Sequence, residues 1–221
     1  MAKQALIEQR PWLLASIASA TAFYFLSDQP VFEGTWGLLA KGASVGLLAL
    51  YALLRLPHGR HRGDGLLLVA ALVLAAAGDV AIELWFEVGG ALFAAAHCVA
   101  VALYLRNPRA RHTPSQRLLS LALLIGTPLI SFLLSGQIAI AFYAAFLGVM
   151  AAAAWYSRFP RYRVGTGAVL FVVSDWLIFA RLGPVDLGVL PDLLIWPLYY
   201  VGQVMIATGI VQCFRGEQPV R

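Results

Sequence analysis

The sequence predicts an all-α, polytopic membrane protein: one domain over residues 1–221, with eight transmembrane helices and both termini in the cytoplasm. Three observations lead there. The composition is 61% hydrophobic and only 12% charged, too little polar surface for a domain dissolved in water. The apolar residues fall into eight runs, each close to the roughly 20 residues that cross a hydrocarbon core of about 30 Å. The links between those runs alternate in charge, as membrane topology requires.

Each run justifies its helix in turn. The first, 12–27, follows Lys3 and Arg10 and contains Ala18-Ser19-Ala20, a triplet of the kind found at leader-cleavage sites. The apolar stretch continues past it to Leu26, which favours a retained helix. The second, 36–54, carries Lys41 and ends in Arg55-Leu-Pro, with Arg60 and Arg62 beyond. The third, 65–86, carries Gly78-Asp79 and Glu83 and runs into a Glu87-Val-Gly-Gly link. The fourth, 89–105, carries Phe93, His97 and Tyr104 and is followed by Arg106, Arg109, Arg111 and Arg117. The fifth, 118–134, closes on Ser135-Gly136-Gln137. The sixth, 138–155, holds Tyr143 and is followed by Arg158, Arg161 and Arg163. The seventh, 165–182, holds Ser174-Asp175 and leads into an acidic link over 184–192. The eighth, 195–214, holds Tyr199, Tyr200 and Gln203 and is followed by Arg215 and Arg221. Helices alone satisfy their own backbone in lipid at these lengths.

Fourteen of the 16 Lys and Arg residues fall on alternate links and at the two ends, which the positive-inside rule assigns to the cytoplasm. In a bacterial host the membrane would be the plasma (inner) membrane. Asp28, Glu33, Glu87, Asp186 and Asp192 mark the opposite side, where Trp36, Trp85 and Trp196 are placed to form an outer aromatic belt. Lys41 and Arg181 are the two exceptions. The net charge of +5 is therefore a topology signal, and no nucleic-acid partner is expected. Cys98 and Cys213 lie inside apolar runs as small hydrophobes, with no metal-ligand spacing around either.

The two halves, about 1–110 and 111–221, echo each other. Arg55-Leu-Pro matches Arg158-Phe-Pro, Gly78-Asp79 matches Ser174-Asp175, and Phe93-x3-His97 matches Tyr199-x3-Gln203. Such matches fit a parallel four-plus-four duplication within the single domain.

Asp79, Glu83, His97, Asp175, Gln203 and Lys41 lie within or near the ends of apolar runs, where an ionised group costs a few kcal/mol on an isolated helix. Counting residues from the outer ends puts Lys41, Asp79, His97, Asp175, Tyr200 and Gln203 in one layer roughly 8 to 12 Å deep, so a common cavity is the simplest expectation. Helical spacing agrees: Asp79 and Glu83 are i,i+4, as are Phe93 and His97, while Tyr200 and Gln203 are i,i+3. Plainer readings compete residue by residue. His97 and Gln203 suit interhelical hydrogen bonding, Tyr143, Tyr199 and Tyr200 suit packing, Lys41 suits snorkelling, and Glu83 suits solvation at the interface. Two aspartates deep in separate helices resist such an account.

The same residues resemble the YhhN family of membrane proteins, whose animal members are lysoplasmalogenases. The carriers are Lys41, Gly78-Asp79, Phe93-x3-His97 with Tyr104, the run Gly167-Ala-Val-Leu-Phe-Val-Val-Ser174-Asp175, and Tyr200-x2-Gln203. The chain departs from the family pattern at Gly42, where proline is expected, and Glu83 has no place in it. The resemblance implies hydrolysis of the vinyl ether bond of a lysoplasmalogen to a fatty aldehyde and glycerophosphoethanolamine or glycerophosphocholine. It calls for a lysophospholipid substrate and surrounding membrane lipids, and for no cofactor or metal. Protonating a vinyl ether needs an acid, and hydrating the resulting cation needs a base and nearby negative charge. Two carboxyls in one apolar site divide those tasks, because both do not ionise together. Asp79 and Asp175 are the expected catalytic pair; Lys41, His97, Tyr200, Gln203, Ser174, Glu83 and Tyr143 are the expected binding and positioning groups.

Other functional classes remain in view. Buried acids and repeated halves also suit a proton-coupled transporter of a small or lipid-like substrate. A zinc-dependent membrane hydrolase would need several ligands around one ion, yet His58, His61 and His112 fall on loops and His97 alone lies in a run. A structural or receptor role leaves the layer of ionisable groups unexplained.

Overall fold

The structure, a computed structural model, describes residues 10–32 and 34–216; Lys3, Glu33 and Arg221, counted in the charge pattern, lie outside them. Among the described residues the chain is helical, with no β-strand. Its long helices are α1 Arg10–Leu26, α2 Thr35–Leu54, α3 Arg62–Leu84, α4 Phe86–Leu105, α5 Pro114–Ser135, α6 Ile138–Tyr156, α7 Thr166–Arg181 and α8 Leu190–Phe214. Seven of these, α2 to α8, are long and apolar enough to cross a membrane, α7 being counted from Arg161. The chain is thus an integral membrane protein. The described part of α1 is 17 residues long.

Several boundaries differ from those the sequence predicts, each for a local reason. The Glu87-Val-Gly-Gly link is helical: α3 ends at Leu84, Trp85 alone is extended, and α4 begins at Phe86. Gly89 permits this hairpin, since a Cβ there would sit 2.6 Å from the Ile82 backbone. The helix α5 starts four residues before its apolar run because Thr113 and Gln116 form a capping box around Pro114 at its first position. A π-turn at Arg161–Gly165 leads into α7, and α8 gains a first turn that contains Asp192.

The chain forms two compact units, one of residues 10–99 with 211–216 and the other of residues 100–210 among those described. In the first, α2 packs against both α1 and α3. Small polar groups hold α1 to α2: the Ser16 hydroxyl donates to the Ser44 carbonyl and Ser19 to the Ala40 carbonyl, so these alcohols satisfy themselves on a neighbouring backbone. Gly42 faces α3, where a Cβ would lie 2.6 Å from a Val80 methyl. A proline at that position would carry ring atoms into the same space.

In the second unit α5, α6 and α7 pack together. Pro128 lacks the N–H that would reach the Leu124 carbonyl, and Gly148 of α6 lies against this part of α5, where a Cβ would stand 3.0 Å from the Leu123 oxygen and 3.3 Å from that of Leu124. Further along, α7 and α8 touch through backbone: a Cβ on Gly167 would meet the Gly202 carbonyl at 2.7 Å, and one on Gly202 would meet the Gly167 carbonyl at the same distance. This is small-residue packing of the kind that joins helices in lipid.

The loops at one end of this unit are tied to each other. Pro108 and Ser157 form an antiparallel bridge, Arg158 N–H donates to the Asn107 carbonyl at 2.8 Å, and the Arg109 guanidinium donates to the carbonyls of Ser157 and Phe159 at 3.2 and 3.1 Å. Burial and the charge of Arg161 hold Arg109 below its usual range.

Candidate functional site

In the first unit the expected residues gather on α2, α3 and α4. Asp79 and His97 are both buried, at 2% and 3% exposure. Gly78, beside Asp79, lies under the Phe93 ring, with its would-be Cβ 3.1 Å from two ring carbons. The missing side chain therefore brings α4 against α3 one turn before His97. One turn after Asp79, the Glu83 carboxylate pairs with the Lys41 ammonium. The Lys41 side chain is 13% exposed and its Nζ stands 5.5 Å from the Phe23 ring centroid. Lys41 thus turns to a carboxylate instead of snorkelling outward, and Glu83, which is 46% exposed, acquires a structural partner.

In the second unit Asp175 is buried on α7, and its Oδ2 accepts a hydrogen bond from the Tyr143 hydroxyl of α6 at 2.9 Å. The Tyr143 ring stands edge-on to Phe179 at 5.9 Å, one turn beyond Asp175 on the same face of α7. Ile140, Ala144 and Phe179 form the apolar core around this pair, flanked by Trp176. The Trp176 indole N–H donates to the Thr127 carbonyl at 3.4 Å, which also receives the Ser131 hydroxyl at 2.7 Å. These bonds tie α7 to α6 through Asp175 and to α5 through the adjacent Trp176.

Ser174 turns away from its neighbour Asp175 and donates to the Ile195 carbonyl of α8 at 2.8 Å, close to the proline at 197 inside that helix. Gln203 is buried, and its amide donates to the Tyr199 hydroxyl at 3.4 Å. The Tyr200 ring stacks on Trp196 at 6.1 Å, while Tyr199 stands edge-on to Phe171 at 5.0 Å. Trp196 corrects an expectation. Trp36 and Trp85 are 66% and 63% exposed, as belt residues should be, but Trp196 is only 9% exposed because it packs on Tyr199 and Tyr200.

The structure thus joins Lys41 with Glu83 and Tyr143 with Asp175. Tyr199, favoured for packing on sequence grounds, is the Gln203 partner; its i,i+4 spacing was the available signal. Among the described residues no group of three His, Cys, Asp or Glu side chains is arranged to hold a metal ion. Each unit by itself offers one of the buried carboxyl groups: the first has Asp79 one turn from the Lys41–Glu83 pair, and the second has Asp175 with the Tyr143 donor fixed on it. Buried carboxyl groups are the kind of side chain that can give or take a proton.

Against known proteins, the model of the YhhN family matches residues 36–210, most of the chain. No curated protein and no solved structure matches it.

Proposed function

The chain belongs to the YhhN family, and from that premise we propose that it is a lysoplasmalogenase-type membrane hydrolase, cleaving the vinyl ether bond of a lysophospholipid by acid-base chemistry. The observation that carries this reading is the Asp175 carboxyl, buried in an apolar helix cluster with one oxygen held by Tyr143 at 2.9 Å. A group of that kind exchanges a proton with a substrate that lies in the membrane, where bulk water supplies none.

The reaction balances with one water. A proton moves from a carboxyl to the alkene carbon distal to the ether oxygen, and the π electrons form the new C–H bond. The remaining cation is shared between the proximal carbon and oxygen. Water adds to that carbon and gives its proton to the second carboxylate; the hemiacetal then collapses to a fatty aldehyde and the glycerophospho-alcohol. Asp79 and Asp175 divide the two tasks: one protonates the alkene, and the other stabilises the cation and takes the proton from water. Tyr143 orients Asp175. Lys41, steadied by Glu83, holds the lipid phosphate, and His97, Tyr200, Gln203 and Ser174 position the glycerol and the water. The full arrangement is eight spans with both termini cytoplasmic.

The test incubates purified protein with a lysoplasmalogen and with its saturated ether analogue, and measures products by mass spectrometry. Aldehyde from the vinyl ether alone is expected, and Asp79→Asn and Asp175→Asn proteins that elute as folded species should lose about 100-fold or more of that activity. Full turnover in both variants would remove the carboxyls from the mechanism. Substrate translocation into proteoliposomes without aldehyde would instead identify a transporter.

A further inference from the structure

A second lipid-directed feature lies on the outside of the 100–210 unit, away from the Asp175 pair. An open groove of about 440 Å³ runs between α5 and α6 beside the end of α4. Its floor exists because Ala152 and Ala153 are small, and the Ser120 hydroxyl, donating to the Ala152 carbonyl at 3.4 Å, closes α5 onto α6 there. Leu105, Leu121, Leu124 and Val149 make its walls, all with apolar surface left open. At one end stand Arg117 and Tyr156. The two helices run antiparallel, so Arg117 to Leu124 and Tyr156 to Val149 each descend seven residues, about 10 Å, from a polar rim into an apolar trough. Tyr156 is 13 residues from Tyr143 along α6, about 20 Å, so this rim is separate from the carboxyl site.

The rim belongs to a strongly basic part of the chain. No Asp or Glu occurs between Glu87 and Asp175, a stretch that contains Arg106, Arg109, Arg111, Arg117, Arg158, Arg161 and Arg163. The other carboxylates of the unit are Asp186 and Asp192, on the link before α8 and in its first turn, and Asp192 is taken by Arg181. The loop arginines are partly used: Arg109 binds carbonyls and Arg158 donates to the Asn107 side chain at 2.9 Å. Arg117 is exposed at the head of the trough. Beside it, His112 stacks on Tyr156 at 3.8 Å and contacts the Tyr156 carbonyl, which fixes the rim in shape.

We infer that this groove is a binding site for an anionic phospholipid, one acyl chain lying in the trough and the headgroup phosphate on Arg117. Charge complementarity selects the occupant: a zwitterionic lipid fills the trough equally well but brings its own cation to an arginine-rich rim. A guanidinium also matches phosphate geometry with paired donors.

The test measures thermal stability of the purified full-length protein in neutral detergent, with phosphatidylglycerol, phosphatidylcholine or inorganic phosphate added. Phosphatidylglycerol alone should raise the melting temperature. Arg117→Gln should weaken its apparent affinity about fivefold, the effect of one basic side chain at a lipid surface, and Ala152→Phe, which fills the trough, should abolish the response. Arg62→Gln, on α3, should leave it unchanged. Equal stabilisation by phosphatidylcholine, an equal rise with inorganic phosphate, or equal weakening in Arg62→Gln would each overturn the assignment. Because the readout is lipid binding, failure here leaves the hydrolase reading untouched, and loss of hydrolysis leaves this one untouched.

Discussion

Tyr143 and Asp175 stand 32 residues apart in sequence and 2.9 Å apart in space. Among the contacts that keep the tyrosine there, the first is its hydroxyl on the carboxyl and the second its ring edge-on to Phe179. Tyr143→Phe removes the first and keeps the second, so the variant should fold normally. A hydrogen bond to a charged group contributes about 1.5–3 kcal/mol; if Tyr143 orients Asp175, kcat for aldehyde release should fall about 10- to 100-fold with KM little changed. A KM increase with unchanged kcat would place Tyr143 in substrate binding instead. The aspartates were legible in the sequence because a carboxylate in an apolar run is costly and so conspicuous. The bond from Tyr143 was not, since a tyrosine in a span is ordinary and its partner lies on another helix. Lys41 and Glu83 follow the same logic: each had a bland reading alone, and their pairing across α2 and α3 is what the sequence did not show.

At the scale of elements, glycine decides where helices touch. Gly89 and Gly90 are indistinguishable in sequence, both reading as a link after α3, yet both are helical and their surroundings differ. A Cβ on Gly89 would strike the Ile82 backbone at 2.6 Å, whereas Gly90 has nothing within 4 Å. Gly89→Ala should therefore destabilise by about 1–3 kcal/mol through overpacking. Gly90→Ala should be neutral or stabilise by up to about 1 kcal/mol, since it only removes backbone freedom from a helix. Thermal denaturation of the purified variants in one detergent compares them directly; equal melting temperatures would show that the hairpin is not held by this contact. The helices themselves were legible because lipid crossing demands long apolar runs. Their ends were less so: Thr113 with Gln116, or one extended residue at Trp85, sets a boundary through hydrogen bonding that hydrophobicity does not record.

For the molecule as a whole, the charge pattern has two exceptions, and the structure accounts for both. Lys41 is paired with Glu83 and Arg181 with Asp192, so neither contributes an uncompensated positive charge to its side of the membrane. With these two neutralised, the remaining basic residues all fall on alternate links and the two ends, which is the pattern that orients a chain with an even number of spans. Among the described residues, α2 to α8 are the helices that meet the length and apolarity needed for crossing, with α7 counted from Arg161. Crossing by α1 is the step that separates eight spans from seven. If α1 spans, both termini share the cytoplasmic side; if it lies along the surface, they fall on opposite sides. In a bacterial host, alkaline phosphatase fused at either terminus should be inactive, and the same enzyme inserted at Gly188, in the acidic link before α8, should be active. An active fusion at the N-terminus alone would reduce the bundle to seven spans, and activity at both ends would invert it.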